Sequence, residues 1–137
     1  MNKLLSVLAI SAMIASPSFA SGDVGDVEAG AKVFKKCIVC HTIDGSTKKK
    51  SGPLLDGVFG RTAGTLEGYK YSKGMIAAGE GGLVWTEETM AQWLTKPRDL
   101  VKKNKMAFAG LKKEEDIKNV EAYLLTFSPD YVAEKSD

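Results

Sequence analysis

Residues Cys37-Ile38-Val39-Cys40-His41 form a C-x-x-C-H run, and no other feature limits so tightly what this chain can fold around. On a helical turn, positions i, i+3 and i+4 share one face. Two thiols at that spacing can each reach one vinyl edge of a porphyrin. The imidazole beside the second thiol then points at the iron. The run reads as a c-type haem attachment site, with Cys37 and Cys40 as thioether carriers and His41 as the proximal ligand. Other chemistries fit worse. The chain has 2 cysteines and 1 histidine, one ligand short of a structural zinc site. A redox dithiol needs a preceding strand in a β-α-β context, whereas the stretch before Cys37 reads as helix. A plain disulfide gives His41 no role.

The N-terminus speaks to compartment. Lys3 precedes an apolar run from Leu4 to Ala15, too short to read as a membrane span. Ser18-Phe19-Ala20 offers small residues where a signal peptidase reads them. The expectation is a secretory signal over residues 1–20, cleaved after Ala20, and a periplasmic product without membrane insertion. Residues 21–137 are then one domain by length. A domain of that size, rich in glycine loops, draws much of its apolar core from the haem. The haem-free chain is accordingly expected to be largely unfolded.

Total charge decides little: 19 basic residues face 17 acidic ones. Their distribution says more. Lysines cluster at Lys35-Lys36, Lys48-Lys49-Lys50, Lys102-Lys103 with Lys105, and Lys112-Lys113, while acids gather in Glu114-Glu115-Asp116 and near the termini. The pattern suggests a dipolar molecule with one basic face, against the plainer reading of solvated surface. No aromatic residues interleave with the lysines, which argues against nucleic-acid binding.

Periodicity predicts an all-α domain with long loops. Asp26 caps a first helix whose Val27, Gly30, Ala31 and Phe34 recur at helical spacing and lead into Cys37. Glycines and Pro53 make residues 42–71 a loop, long enough to need a large cofactor to wrap. A short helix is expected over Ser72–Ala78. Thr86 opens another, with Met90, Trp93 and Leu94 on its apolar face and Pro97 as its limit. Residues 98–110 read as loop. A last helix begins near Lys112 or Lys113, carries Ile117, Val120, Leu124 and Phe127, and closes at Pro129.

With a single histidine, the second iron ligand is a methionine or a lysine, or the position is open. Met1 and Met13 leave with the signal. Met75 and Met90 sit among apolar helical neighbours and read as core. Met106 lies in a loop far from His41 and is the candidate by position.

Several segments together resemble class I c-type cytochromes. They are Lys105-Met106-Ala107-Phe108-Ala109-Gly110-Leu111-Lys112-Lys113, Gly52-Pro53-Leu54-Leu55, Gly57-Val58-Phe59-Gly60-Arg61, Tyr69-Lys70-Tyr71-Ser72 and Ala122-Tyr123-Leu124. The likeness runs from about Gly25 to Phe127. The stretch Gly74-Met75-Ile76-Ala77-Ala78-Gly79, with its longer connection to Trp85, looks nearer to bacterial cytochromes c2 than to the mitochondrial form.

The resemblance implies the class I cytochrome c fold, with the first and last helices crossing where Gly30 and Phe34 meet Val120 and Tyr123. It implies one haem c held through Cys37 and Cys40, and His41 and Met106 as axial ligands. The Pro53 carbonyl would orient His41. Arg61, Tyr71 and Trp85 would lie near the propionates. Trp93 would stand near the methionine sulfur, where relatives often have tyrosine, and Phe108 against the haem edge. In place of a frequent Pro-Gly pair and threonine the chain has Lys102-Lys103 and Asn104, so a more mobile methionine loop is expected.

An iron with both axial positions filled binds no substrate. The implied function is a monomeric one-electron carrier without catalytic residues, of relatively high potential. It would pass electrons from a cytochrome bc1-type complex to a terminal oxidase or a photosynthetic reaction centre. Lys36, Lys50, Lys96, Lys105, Lys112 and Lys113 around the haem edge would steer it to acidic sites. If Met106 is no ligand, a gas sensor or peroxidase is the alternative. Service to one periplasmic dehydrogenase or nitrogen-oxide enzyme is another.

Overall fold

The computed structural model describes residues 25–133; the expected signal segment and its cleavage site lie outside them. Five helices are found among the described residues: α1 Val27–Phe34, α2 Lys73–Glu80, α3 Glu87–Thr95, α4 Pro97–Leu100 and α5 Glu114–Leu125. The all-α expectation holds. The extended pairing present is one isolated antiparallel bridge between Thr62 and Val84. It is flanked by the bonds Gly60 N–H to Trp85 O (2.8 Å) and Ala63 N–H to Leu83 O (2.9 Å).

The helix starts follow from side-chain chemistry. Asp26 accepts the Ala29 N–H at 2.6 Å, Ser72 that of Met75 at 3.1 Å, and Thr86 that of Thr89 at 3.2 Å. Each satisfies a donor that the first turn leaves without an intrahelical partner. Two boundaries differ from expectation. Residues 98–110 are not all loop, because Pro97 both ends α3 and opens the one-turn α4. A proline lacks the N–H that a first helical position would waste, so the residue that stops one helix can start the next. The last helix ends at Leu125, and Phe127 follows in a turn with its N–H on Leu124 O at 3.0 Å.

The architecture rests on α1 crossing α5. A Cβ on Gly30 would stand 1.9 Å from the Asn119 carbonyl oxygen, so the two backbones touch. Phe34 packs on Tyr123 with ring centroids 5.3 Å apart, and Tyr123 on Phe127 at 5.2 Å. The Asp26 N–H donates to the buried Asn119 side chain at 2.7 Å, tying the cap of the first helix to the last. Gly30 and Phe34 thus meet Tyr123 as expected, with Asn119 as the further partner of Gly30. The Asn119 tie was not legible, since an asparagine inside a helix normally reads as a solvent-facing residue.

α3 lies against another side of α5. Asn119 and Tyr123 meet α1, and Glu121, about 160–200° round the helix from both, faces away from it. Glu121 is only 9% exposed, and its Oε1 is shielded without a hydrogen-bond partner. Burial, with the repulsion of Glu87 on α3 added, pushes its carboxyl up to about 8.

Two predictions follow from these contacts. Gly30→Ala should cost about 3 kcal/mol of stability in urea unfolding of the holoprotein, because neither backbone at the crossing can yield cheaply. Between about 4.5 and about 8 the folded chain keeps a proton on Glu121 that the unfolded chain releases. Stability should then fall with rising pH by about 1.4 kcal/mol per unit, levelling off above that window. Glu121→Gln should remove the slope. Parallel pH profiles for the two proteins would count against it.

Candidate functional site

The motif sits on hydrogen-bonded turns that continue α1. Cys37 N–H donates to Phe34 O at 2.7 Å, Cys40 N–H to Cys37 O at 3.0 Å, and His41 N–H to Cys37 O at 2.9 Å. The i, i+3, i+4 spacing is thus realised as helical turns. Lys50 completes them: its ammonium donates to the carbonyls of Ile38 and, at 3.1 Å, of His41. Cations suit that position, since the last carbonyls of a helical segment carry its negative end. Both thiols are free, Cys40 exposed and Cys37 half-buried, with burial pushing the Cys37 thiol up.

His41 is 9% exposed. Its Nδ1 stands 2.8 Å from the Pro53 carbonyl oxygen. A carbonyl can only accept, so the proton is on Nδ1 and the lone pair is on Nε2. Burial holds the imidazole below its ordinary pKa, against the opposing pull of the Pro53 carbonyl, and Lys50 adds to the lowering. The ring is therefore kept neutral. Gly52 makes the arrangement fit: a Cβ there would stand 2.7 Å from His41 Cε1 and 2.8 Å from Nδ1. The Gly52 N–H also bonds Cys40 O at 2.7 Å, locking the loop to the motif.

Cys37, Tyr71, Trp85, Trp93, Met106 and Phe108 join one apolar cluster. The two indoles pack with centroids 5.4 Å apart. Arg61 donates from Nη2 to Leu54 O at 3.0 Å. Burial lowers the pKa of its guanidinium, with Tyr71 and Asp56 acting the other way. Tyr71 is raised by burial, and Arg61 opposes that. Asp56 spends one oxygen on the Gly45 N–H at 2.8 Å and leaves the other buried without a partner. Arg61, Tyr71 and Trp85 thus lie in one neighbourhood, Trp85 N–H bonding Arg61 O at 3.0 Å.

Met106 is half-buried against the cluster. Its segment runs along the end of α3: Leu111 N–H bonds Leu94 O at 2.7 Å, and a Cβ on Gly110, where φ is +107°, would stand 2.0 Å from Thr95 O. The departures at Lys102-Lys103 and Asn104 bring contacts of their own. Asn104 bonds both Val101 and Met106, and Lys105 reaches the carbonyl of Lys70. Sequence reasoning named Lys50, Gly52, Tyr69 and Asn104 but not the contacts they make here. For Gly52 the signal was present in the Gly-Pro pair, a tight approach at the residue before the carbonyl that matters. The others act through tertiary contacts.

The residues present fit a haem. Two free thiols flank a helical turn, a neutral imidazole offers Nε2, and an apolar cluster including a thioether adjoins them. These are soft and borderline donors of the kind that suit haem iron.

A family model described as Cytochrome c matches residues 27–128, and the chain belongs to that family. It is 50% identical to a cytochrome c2 of Afifella marina over 104 residues, covering 76% of this chain and 84% of that one. It is 38% identical to a cytochrome c2 of Blastochloris viridis over 130 residues, covering 95% and 97%. Among solved structures, cytochrome cH from Methylobacterium extorquens superposes with a TM-score of 0.68 at 36% identity, covering 74% of this chain and 99% of that one. The protein is an electron-transfer cytochrome carrying one covalent haem c, and not an enzyme.

Gly52→Ala should push the imidazole off the Pro53 carbonyl. In the ferrous holoprotein the His41 ring N–H should then exchange with solvent about tenfold faster by NMR. An unchanged exchange rate would show that the loop relaxes instead.

Proposed function

We propose that this cytochrome is a periplasmic one-electron carrier whose haem iron is held between His41 Nε2 and the Met106 sulfur. Residues 1–20 act as its cleaved signal, and residues 21–137 are the working domain. Its donor is a cytochrome bc1-type complex, and its acceptor a terminal oxidase or a photosynthetic reaction centre.

The observation that carries the reading is the His41–Pro53 hydrogen bond, which presents an unprotonated Nε2 from a buried, neutral ring. When bound, the haem supplies the one-electron couple. The chain's own residues do the rest. Cys37 and Cys40 fix the macrocycle to the end of α1. The Pro53 carbonyl orients His41 and raises its basicity. Met106 brings a thioether, and His/Met coordination raises the potential. Trp85, Trp93 and Phe108 keep water from the pocket, which disfavours the extra charge of the ferric state. Arg61 and Tyr71 supply the polar edge that carboxylate side arms require. With His41 and Met106 both holding the iron, an electron could pass and no position would be left for a substrate.

Docking relies on lysines, and the fold divides them. Of the six named for steering, all but Lys50 are exposed, Lys36, Lys96, Lys105, Lys112 and Lys113 alike. Lys50 is engaged with the motif carbonyls, Lys96 pairs Asp99 at 3.0 Å, and Lys105 reaches Lys70 and lies 4.5 Å from the Tyr69 ring centre. Lys36, Lys112 and Lys113 serve steering to acidic partners, by fast, weak and salt-sensitive encounters of one protein molecule with one complex.

An optical and redox titration of the purified holoprotein tests the ligation. The native form should be low-spin at neutral pH, show the methionine-to-ferric-iron charge-transfer band, and refuse carbon monoxide when reduced. Met106→Ala should lose the band, bind carbon monoxide and drop in midpoint potential. A high-spin native protein, or a variant with the parent's spectrum, would sink the reading.

A further inference from the structure

The approach to Met106 is a tight turn followed by a stretch without regular structure. α4 ends at Leu100, and Val101, only 2% exposed, anchors the chain in the core. Lys102 and Lys103 form the centre of a hydrogen-bonded turn, and after it, among the described residues, Lys105 to Ala107 donate no backbone–backbone hydrogen bond. Lys103 has φ +56°, the one non-glycine residue described with a positive φ. A side chain in that left-handed region costs on the order of a factor of ten in population relative to glycine. The turn is also pressed from outside: a Cβ on Gly74 at the start of α2 would stand 2.0 Å from the Lys102 carbonyl oxygen.

Asn104 closes what the backbone leaves open. Its Nδ2 donates to Val101 O at 2.9 Å, and its Oδ1 accepts from Met106 N–H at 3.0 Å. The amide orientation is forced, since a carbonyl can only accept and an N–H can only donate. One side chain therefore spans the turn from its buried anchor to the residue that matters. On the other flank, Lys105 donates to Lys70 O and lies over Tyr69, whose hydroxyl bonds Ser51 O at 2.7 Å. That second tie runs toward Gly52 and Pro53, on the His41 side.

We infer that Asn104 is the positioning residue for Met106, an amide clamp that holds the methionine in place against a turn strained at Lys103. The inference rests on the reading of Met106 as an iron ligand. It makes the two neighbours act with opposite sign. Asn104 disfavours opening of the loop, and the left-handed Lys103 favours it. Asn104→Asp keeps the acceptor for Met106 N–H but sets a carboxylate oxygen against the Val101 carbonyl in place of the donor, so it breaks the Val101 half of the clamp.

The probe is imidazole, titrated into the ferric holoprotein at neutral pH, where it binds only when the methionine position opens. Its affinity should rise about tenfold in Asn104→Ala and should rise in Asn104→Asp as well. It should fall several-fold in Lys103→Gly. In parallel, the Met106 amide of the ferrous protein should exchange faster in Asn104→Ala by NMR. If Asn104→Ala does not retain haem, Asn104→Asp and Lys103→Gly decide by the same readouts. Parent-like imidazole affinity and Met106 exchange, with only global stability lowered, would overturn the positioning role. A parent without the charge-transfer band, binding imidazole as Met106→Ala does, would instead overturn the ligand reading and the inference with it.

Discussion

The Nδ1–H of His41 and the Pro53 carbonyl form a bond that neither partner could make alone. The imidazole must be neutral, buried and turned one way; the loop must come close enough to offer an oxygen. Gly52 allows the approach because it has no Cβ, and its own N–H ties the loop to Cys40 O. Lys50 secures the motif's last carbonyls. α1 delivers the motif, and α1 is held by α5. Local turn chemistry, helix crossing and loop placement thus converge on the orientation of one ring.

Much of this was legible in the residues. Asp26 and Thr86, read as caps, stand at true helix starts, because a cap is a local bond decided within a few positions, while Ser72, read as the first residue of its helix, caps it instead. The spacing of Cys37, Cys40 and His41 is equally local. Pro97 was legible only by half: it was read as a stop, and it also opened α4. What stayed hidden was polar and long-range. Asn119 bonds a residue 93 positions away, Asn104 serves a turn whose shape no propensity fixes, and Glu121 looks like surface until α3 covers it. Three of the six lysines assigned to steering are partly spent inside the chain. Spacing counts charges and cannot say which of them already have partners.

The two sides of the site are not independent. From Asn104 and Lys105 beside Met106, contacts run through Tyr69 to Ser51, and from there along the chain to Gly52 and Pro53 beside His41. Each step is a modest bond, worth about 1 kcal/mol. Together they join the surroundings of His41 to those of Met106 across 65 residues of sequence. Rigidity matters to a carrier, since geometry that does not change with oxidation state keeps the reorganisation accompanying electron transfer small.

The meeting of Gly30 with Asn119 sets an order on synthesis as well as on structure. α1 is made early and has nothing to lie on until α5 exists, close to the other end of the polypeptide. Closing so long a segment carries an entropy cost that shorter contacts do not. A growing chain therefore cannot seat its first helix until the last one has emerged.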